Sequence, residues 1–160
     1  MLAIIIMGSP GDKPIGQRIA RALDGFGIAW ELRVASAHKV PGYLVDMLDT
    51  YEADPRHKVY ITVAGRSNAL SGMVDARVGA PVIACPPYSE KFAGADLLSS
   101  LRTPSGVAPA VVLEPENAAL LAAKMLALAD SDLRDRVKAA QESQRLRLLD
   151  ADTQIQAGEC

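Results

Sequence analysis

Leu2-Ala3-Ile4-Ile5-Ile6-Met7-Gly8-Ser9-Pro10-Gly11-Asp12 is the stretch whose reading decides the fold. Leu2–Met7 is apolar without a break, dominated by isoleucine, and too short for a helix, so it predicts a strand. Gly8–Asp12 is a polar turn. After it Ile15, Ile19, Ala22, Leu23 and Phe26 recur at helical spacing, and Gly27 stops the pattern. The order strand, glycine-bearing turn, helix then repeats. Further apolar runs lie at Ile28–Val34, Val59–Val63, Pro81–Ala84 and Val107–Leu113. They are continuous rather than alternating, which predicts strands buried on both faces, as in a parallel sheet. Between them Leu44, Val45, Leu48 and Tyr51 follow Pro41 at helical spacing. Ala69–Ala76 and Lys91–Leu101 are shorter helical stretches, and Asn117–Ala129 is rich in Ala and Leu. Such alternation predicts an α/β fold, a three-layer doubly wound parallel sheet of flavodoxin-like or Rossmann-like type.

The tail is different. Ser131–Gln156 is charged and helix-forming, with Leu133, Val137, Ala140, Gln144, Arg147 and Leu148 on one rough face. From the residues alone this long C-terminal helix is either solvated on its own domain or packed on a neighbouring subunit. The expected layout is one domain over residues 1–160, with an α/β core at 1–129 and a helical extension at 130–156.

Composition narrows the function. The 160 residues are 49% hydrophobic and 22% charged, an ordinary globular balance. A net charge of −2 leaves no excess of cations for a nucleic-acid partner, and 4% aromatic content offers little for stacking bases or a flavin. One phosphate can still be held locally by backbone N–H groups. Leu2–Met7 is too short for a signal peptide and no segment is long enough to span a bilayer, so a cytosolic, cytoplasmic protein is expected. Cys85 and Cys160 form no metal-spaced cluster. Cys85 reads as buried filler, and Cys160, the last residue, is expected to be mobile.

Ligands of open parallel sheets bind where the loops leave the carboxyl ends of the strands. Three such loops are polar here. Gly8 and Gly11 permit close backbone approach, Ser9 offers a hydroxyl to a phosphate or ribose, and Asp12 suits a ribose hydroxyl or an amine. The plainer reading makes Asp12 a helix cap. In the second loop, Ser36, Ala37, His38 and Lys39, the imidazole suits acid–base work and Lys39 suits an anion; the competing reading is a helix-capping histidine. The third loop carries Ala64, Gly65, Arg66, Ser67, Asn68 and Ala69, with Arg66 suited to an anion. One such loop is structural punctuation; three after consecutive strands favour a shared site. His57 reads as a surface histidine.

The ordered series Met7-Gly8-Ser9…Asp12, Phe26-Gly27-Ile28…Glu31-Leu32-Arg33-Val34…Ser36-Ala37-His38, Pro81-Val82-Ile83…Cys85-Pro86-Pro87 resembles the PurE family. The likeness continues through Gly94…Asp96…Ser99-Ser100-Leu101-Arg102…Pro104-Ser105-Gly106-Val107 and Asn117–Ala122, nearly the whole chain. The resemblance implies a flavodoxin-like subunit of a homo-octamer that makes 4-carboxy-5-aminoimidazole ribonucleotide, with the terminal helix helping assembly. It implies nucleotide contacts from Ser9, Asp12, Ser36, Lys39, Gly65 and Ser67, and proton chemistry at His38. Ala64–Met73 contains no histidine, and Lys39 stands where the mutase branch usually has arginine. Both features resemble the class II branch, which carboxylates aminoimidazole ribonucleotide directly with carbon dioxide and without cofactor or metal. The alternatives are the mutase of the N-carboxylated isomer and, more distantly, a non-catalytic nucleotide- or flavin-binding module. A purely structural subunit built around the terminal helix is disfavoured by the intact polar loops.

Overall fold

The structure, a computed structural model, describes residues 1–158. The expectation for Cys160 lies outside the described residues. The strands are β1 (Leu2–Met7), β2 (Ala29–Val34), β3 (Lys58–Val63), β4 (Val82–Ala84) and β5 (Ala110–Val111). The helices are α1 (Lys13–Gly25), α2 (Pro41–Glu52), α3 (Ala69–Arg77), α4 (Pro115–Leu126) and α5 (Ser131–Gln156). All pairings are parallel, in the order β2-β1-β3-β4-β5, which is the flavodoxin-like arrangement expected from the alternation.

β1 lies inside the sheet, between β2 and β3, and its alternation feeds two cores. Ala3, Ile5 and Met7 enter the core under α1 and α4, with Ile19, Leu23, Ala118 and Ala122. Leu2, Ile4 and Ile6 enter the other, under α2 and α3, with Leu44, Leu48, Leu70 and Val74. Burial on both faces is why the strand reads as an unbroken apolar run. Small residues let α1 lie close: a Cβ on Gly16 would stand 2.8 Å from Leu32 Cδ1 and 2.9 Å from Met7 Sδ. α1 ends as its sequence predicts. Gly27, at φ 66°, turns the chain so that its N–H reaches the Asp24 carbonyl and the Ile28 N–H reaches that of Leu23.

Two strands depart from expectation. β2 lies at the sheet edge instead of between neighbours, and Trp30 and Val34 are 36% and 42% exposed. Its polar side chains are used locally: Tyr51 donates to Glu31, and Arg33 donates to Tyr51 and Tyr43. The run Val107–Leu113 contributes only two residues to the sheet, because Val107 turns back to the Pro104 carbonyl, the Ala108 N–H is spent on Asp75, and Pro109 has no N–H. Lys91–Ser100 is helical but forms 3-10 turns rather than an α-helix, since Ala93 and Gly94 stand at φ 50° and 76°.

Cys85 is fully buried, with burial pushing its thiol up to about 12, in keeping with its reading as packing rather than a nucleophile. α5 begins at Asp130, whose carboxylate accepts from Leu133 N–H. Only Leu133 and Val137 of α5 are buried, while Leu146, Leu148, Leu149 and Ile155 are more than half exposed. Among the described residues no helix is long and apolar enough to cross a membrane.

Candidate active site

The sheet order reverses direction between β1 and β3, so the loops after them diverge and leave a crevice. In-register pairing sets Met7 beside both Val34 and Val63, and three polar loops start from one level. The ladder continues past the strand ends, through Gly8 N–H to Val63 O and Ala35 N–H to Met7 O. Gly8 is needed at the reversal: a Cβ there would stand 3.3 Å from Ala64 Cβ, with the Val63 carbonyl close behind.

A cavity of about 630 Å³ occupies this crevice, a volume suited to a nucleotide-sized ligand. The first loop lines it with Gly8, Ser9 and Asp12, the second with Ser36, Ala37, His38 and Lys39, and the third with Ala64, Gly65, Arg66 and Ser67. Leu70 lies among them. A loop that the sequence did not single out supplies the remaining wall, with Pro87, Ser89 and Asp96. A smaller cavity of about 340 Å³ takes in His57 and lies at the opposite, amino-terminal end of the strands, where Arg56, Lys58 and Glu52 are engaged with neighbouring groups.

Each loop is shaped by its own hydrogen bonds. Asp12 Oδ2 accepts from the Ser9 N–H at 3.0 Å and the Ser9 hydroxyl at 3.1 Å. The Ser9 hydroxyl expected to donate to a ligand thus donates to Asp12. Asp12 stands at the N-cap of α1, yet its carboxylate accepts from Ser9 rather than capping that helix, and it lines the cavity. In the second loop Ser36 accepts from Lys39 N–H and, through its carbonyl, from Val40 N–H, which closes a tight turn carrying His38. The cap of α2 falls at Val40, so His38 does not serve as that cap. Its ring is exposed on the cavity wall.

Asn68 is placed differently from the expected ligand contact. It is 6% exposed, its side chain caps α3 by accepting from Ser71 N–H, and its amide donates to Ser100. An asparagine just before a helix is a strong capping residue, and that local chemistry claims its side chain. Arg66 stands at φ 58°, a conformation that costs a non-glycine residue about 1–2 kcal/mol. Asp96 accepts from its N–H at 2.9 Å. Ser99 donates to its carbonyl at 2.8 Å and accepts from Asn68 N–H at 3.0 Å.

A doubly wound parallel sheet with an imidazole, two carboxylates and two cations around a polar crevice at its switch point defines an enzyme-like small-ligand protein. The family model described as AIR carboxylase matches residues 2–147. A phosphoribosylaminoimidazole carboxylase from Treponema denticola is 52% identical over 154 residues, covering 96% of this chain and 97% of that protein. One from Archaeoglobus fulgidus is 52% identical over 155 residues, 97% of this chain and 85% of that protein. A human bifunctional phosphoribosylaminoimidazole carboxylase/phosphoribosylaminoimidazole succinocarboxamide synthetase is 37% identical over 152 residues, 95% of this chain but 36% of that protein. The crystal structure of Treponema denticola PurE matches with a TM-score of 0.94 at 52% identity, covering 96% of this chain and 97% of that one. The chain belongs to the AIR carboxylase family.

Proposed function

We propose that this chain is a phosphoribosylaminoimidazole carboxylase of purine biosynthesis that joins carbon dioxide directly to 5-aminoimidazole ribonucleotide, reversibly and without ATP, metal or cofactor. The observation that carries the reading is the single cavity in which His38, Asp12, Ser9, Ser36, Lys39 and the Gly65–Ser67 segment meet. The aminoimidazole is an enamine whose ring carbon attacks carbon dioxide. That carbon becomes tetrahedral, then loses its proton to regain aromaticity. One group that takes this proton forward and returns it in reverse suffices, and His38 is that group. Asp12 meets the exocyclic amine or assists the proton relay as a second catalytic group. Ser9, Ser36, Lys39 and Ser67 hold the ribose phosphate, with Arg66 as a further cation, so that the ring carbon faces the gas in one orientation.

The carbon dioxide assignment is supported by the absence of a second imidazole. The chain has only two histidines, and His57 lines the cavity at the other end of the sheet. The test supplies aminoimidazole ribonucleotide with bicarbonate and no ATP, and separately the N-carboxylated isomer. Turnover of the first alone is expected; turnover of the second alone would make the protein a mutase.

Ala37 and Ala64, beside Leu70, give the cavity a small apolar corner suited to carbon dioxide. Ala37→Ser, which adds one hydroxyl there, is expected to raise the apparent Michaelis constant for carbon dioxide several-fold. An unchanged constant would remove the corner from the mechanism.

The same reading makes residues 1–129 a catalytic core and 130–156 an assembly element of a cytosolic homo-octamer. The exposed apolar side chains of α5 and of the β2 edge support this. No nucleic acid or membrane takes part.

A further inference from the structure

The 3-10 segment Lys91–Ser100 grips the third loop at successive points, although it precedes that loop in neither sequence nor sheet order. Asp96 takes the Arg66 N–H, Ser99 takes the Asn68 N–H and gives its own proton to the Arg66 carbonyl, and Ser100 takes the Asn68 amide. Asp96 also lies against Gly65, where a Cβ would stand 3.7 Å from its Oδ2. These bonds surround the one residue of the cavity wall held at positive φ without being glycine. A strained backbone persists only where its surroundings over-determine it.

We propose that Asp96 is a positioning residue for carboxylation: its carboxylate holds Arg66 in the left-handed conformation and so sets the Gly65–Ser67 wall against the ribonucleotide. This rests on the carboxylase reading for its kinetic consequence, but not for the conformational one. Without the carboxylate the Arg66 N–H loses its acceptor, and the chain relaxes toward ordinary φ, carrying Gly65 and Ser67 out of register with Ser9 and Ser36. Glycine is at ease at positive φ, so the need for Asp96 is conditional on a side chain at position 66.

The experiment is a double-mutant cycle on the full chain, read by kinetics and by amide exchange of the substrate-free protein. Asp96→Ala is expected to lower kcat/KM about ten-fold, equivalent to about 1.4 kcal/mol, with the loss mostly in KM for the ribonucleotide. In an Arg66→Gly background the same substitution is expected to cost two-fold or less. Asp96→Asn keeps a carbonyl oxygen for the Arg66 N–H and is expected to hold kcat/KM within about three-fold, with an unshifted pH profile. Exchange at the Arg66 and Asn68 amides is expected to quicken in Asp96→Ala. Equal losses in the two backgrounds, or unchanged exchange, would overturn the proposal. If Asp96→Ala does not fold, Asp96→Asn decides: a ten-fold loss or a shifted pH profile makes the charge itself the requirement and overturns it. A wild-type protein inactive on aminoimidazole ribonucleotide would sink the carboxylase reading while leaving the exchange result standing.

Discussion

His38→Asn lowers kcat for carboxylation by about a hundred- to ten-thousand-fold, the span that a positioned acid–base group contributes. Two features confine the loss to chemistry. His38 is exposed on a turn closed by Ser36, Lys39 and Val40, so its ring holds up neither core. The remaining side chains expected to grip the nucleotide come from other loops or from the far side of the same turn. Asparagine keeps hydrogen-bonding capacity but cannot cycle a proton, so KM for the ribonucleotide should move far less than kcat. The decarboxylation direction should fall in parallel, because the same group returns the proton. A folded variant that turns over at the wild-type rate would show that another group does this work, with Asp12 next to be tested.

Ile5→Ala should destabilise the protein by about 2–5 kcal/mol. Ile5 is fully buried in β1, an interior strand, in a row that runs Leu32, Ile5, Ile61, Ile83, Ala110 across the whole sheet. Truncation opens a cavity between β1 and the α1–α4 layer, where strands paired on both sides cannot close in. With a urea dependence of about 2 kcal/mol per molar, the unfolding midpoint should fall by about 1–2.5 M. By contrast, the exposed Arg18–Glu116 pair between α1 and α4, at 2.7 Å, should contribute little despite its geometry, because solvent screens it. A midpoint for Ile5→Ala within 0.3 M of wild type would contradict the packing account, an allowance of about 0.6 kcal/mol.

What could be read from the sequence was what neighbours in the chain enforce. Leu2–Met7 and Val59–Val63 announce central strands because both their faces are apolar, and α1 announces its end because only Gly27 fits the reversal. The first three loops were visible because each follows such a strand directly. β2 looked central because Ile28–Val34 is as apolar at its ends as the others. Only the sheet order places it at the edge, and sheet order is set by crossovers rather than by local pattern. The fourth wall was hidden for a related reason: Ser89 precedes, and Asp96 lies within, a stretch that reads as an ordinary short helix, and a tertiary hydrogen bond to Arg66 ties Asp96 to the third loop. A short β4 followed by Pro86-Pro87 was the available signal, since every strand of such a sheet sends a loop toward the same end. Asn68 shows the limit from the other side: it was read with the polar residues of the third loop, while its own helix and Ser100 occupy its side chain.

The place of β1 between two later strands also governs how the chain comes into being. β1 precedes both its partners: Leu2 pairs with Ala29 on one side and Lys58 on the other. At about 5–20 residues per second, several seconds of synthesis separate the appearance of β1 from that of β3. Until then β2, made earlier, can cover only one edge of these six apolar residues, and the edge meant for β3 stays open to stray strand pairing. The polar turn that begins at Gly8 and the amphipathic α1 emerge directly behind them, and folding α1 back over Ala3, Ile5 and Met7 gives one face of the strand early shelter. The other face, Leu2, Ile4 and Ile6, is covered only once α2 and α3 have followed with Leu44, Leu48, Leu70 and Val74.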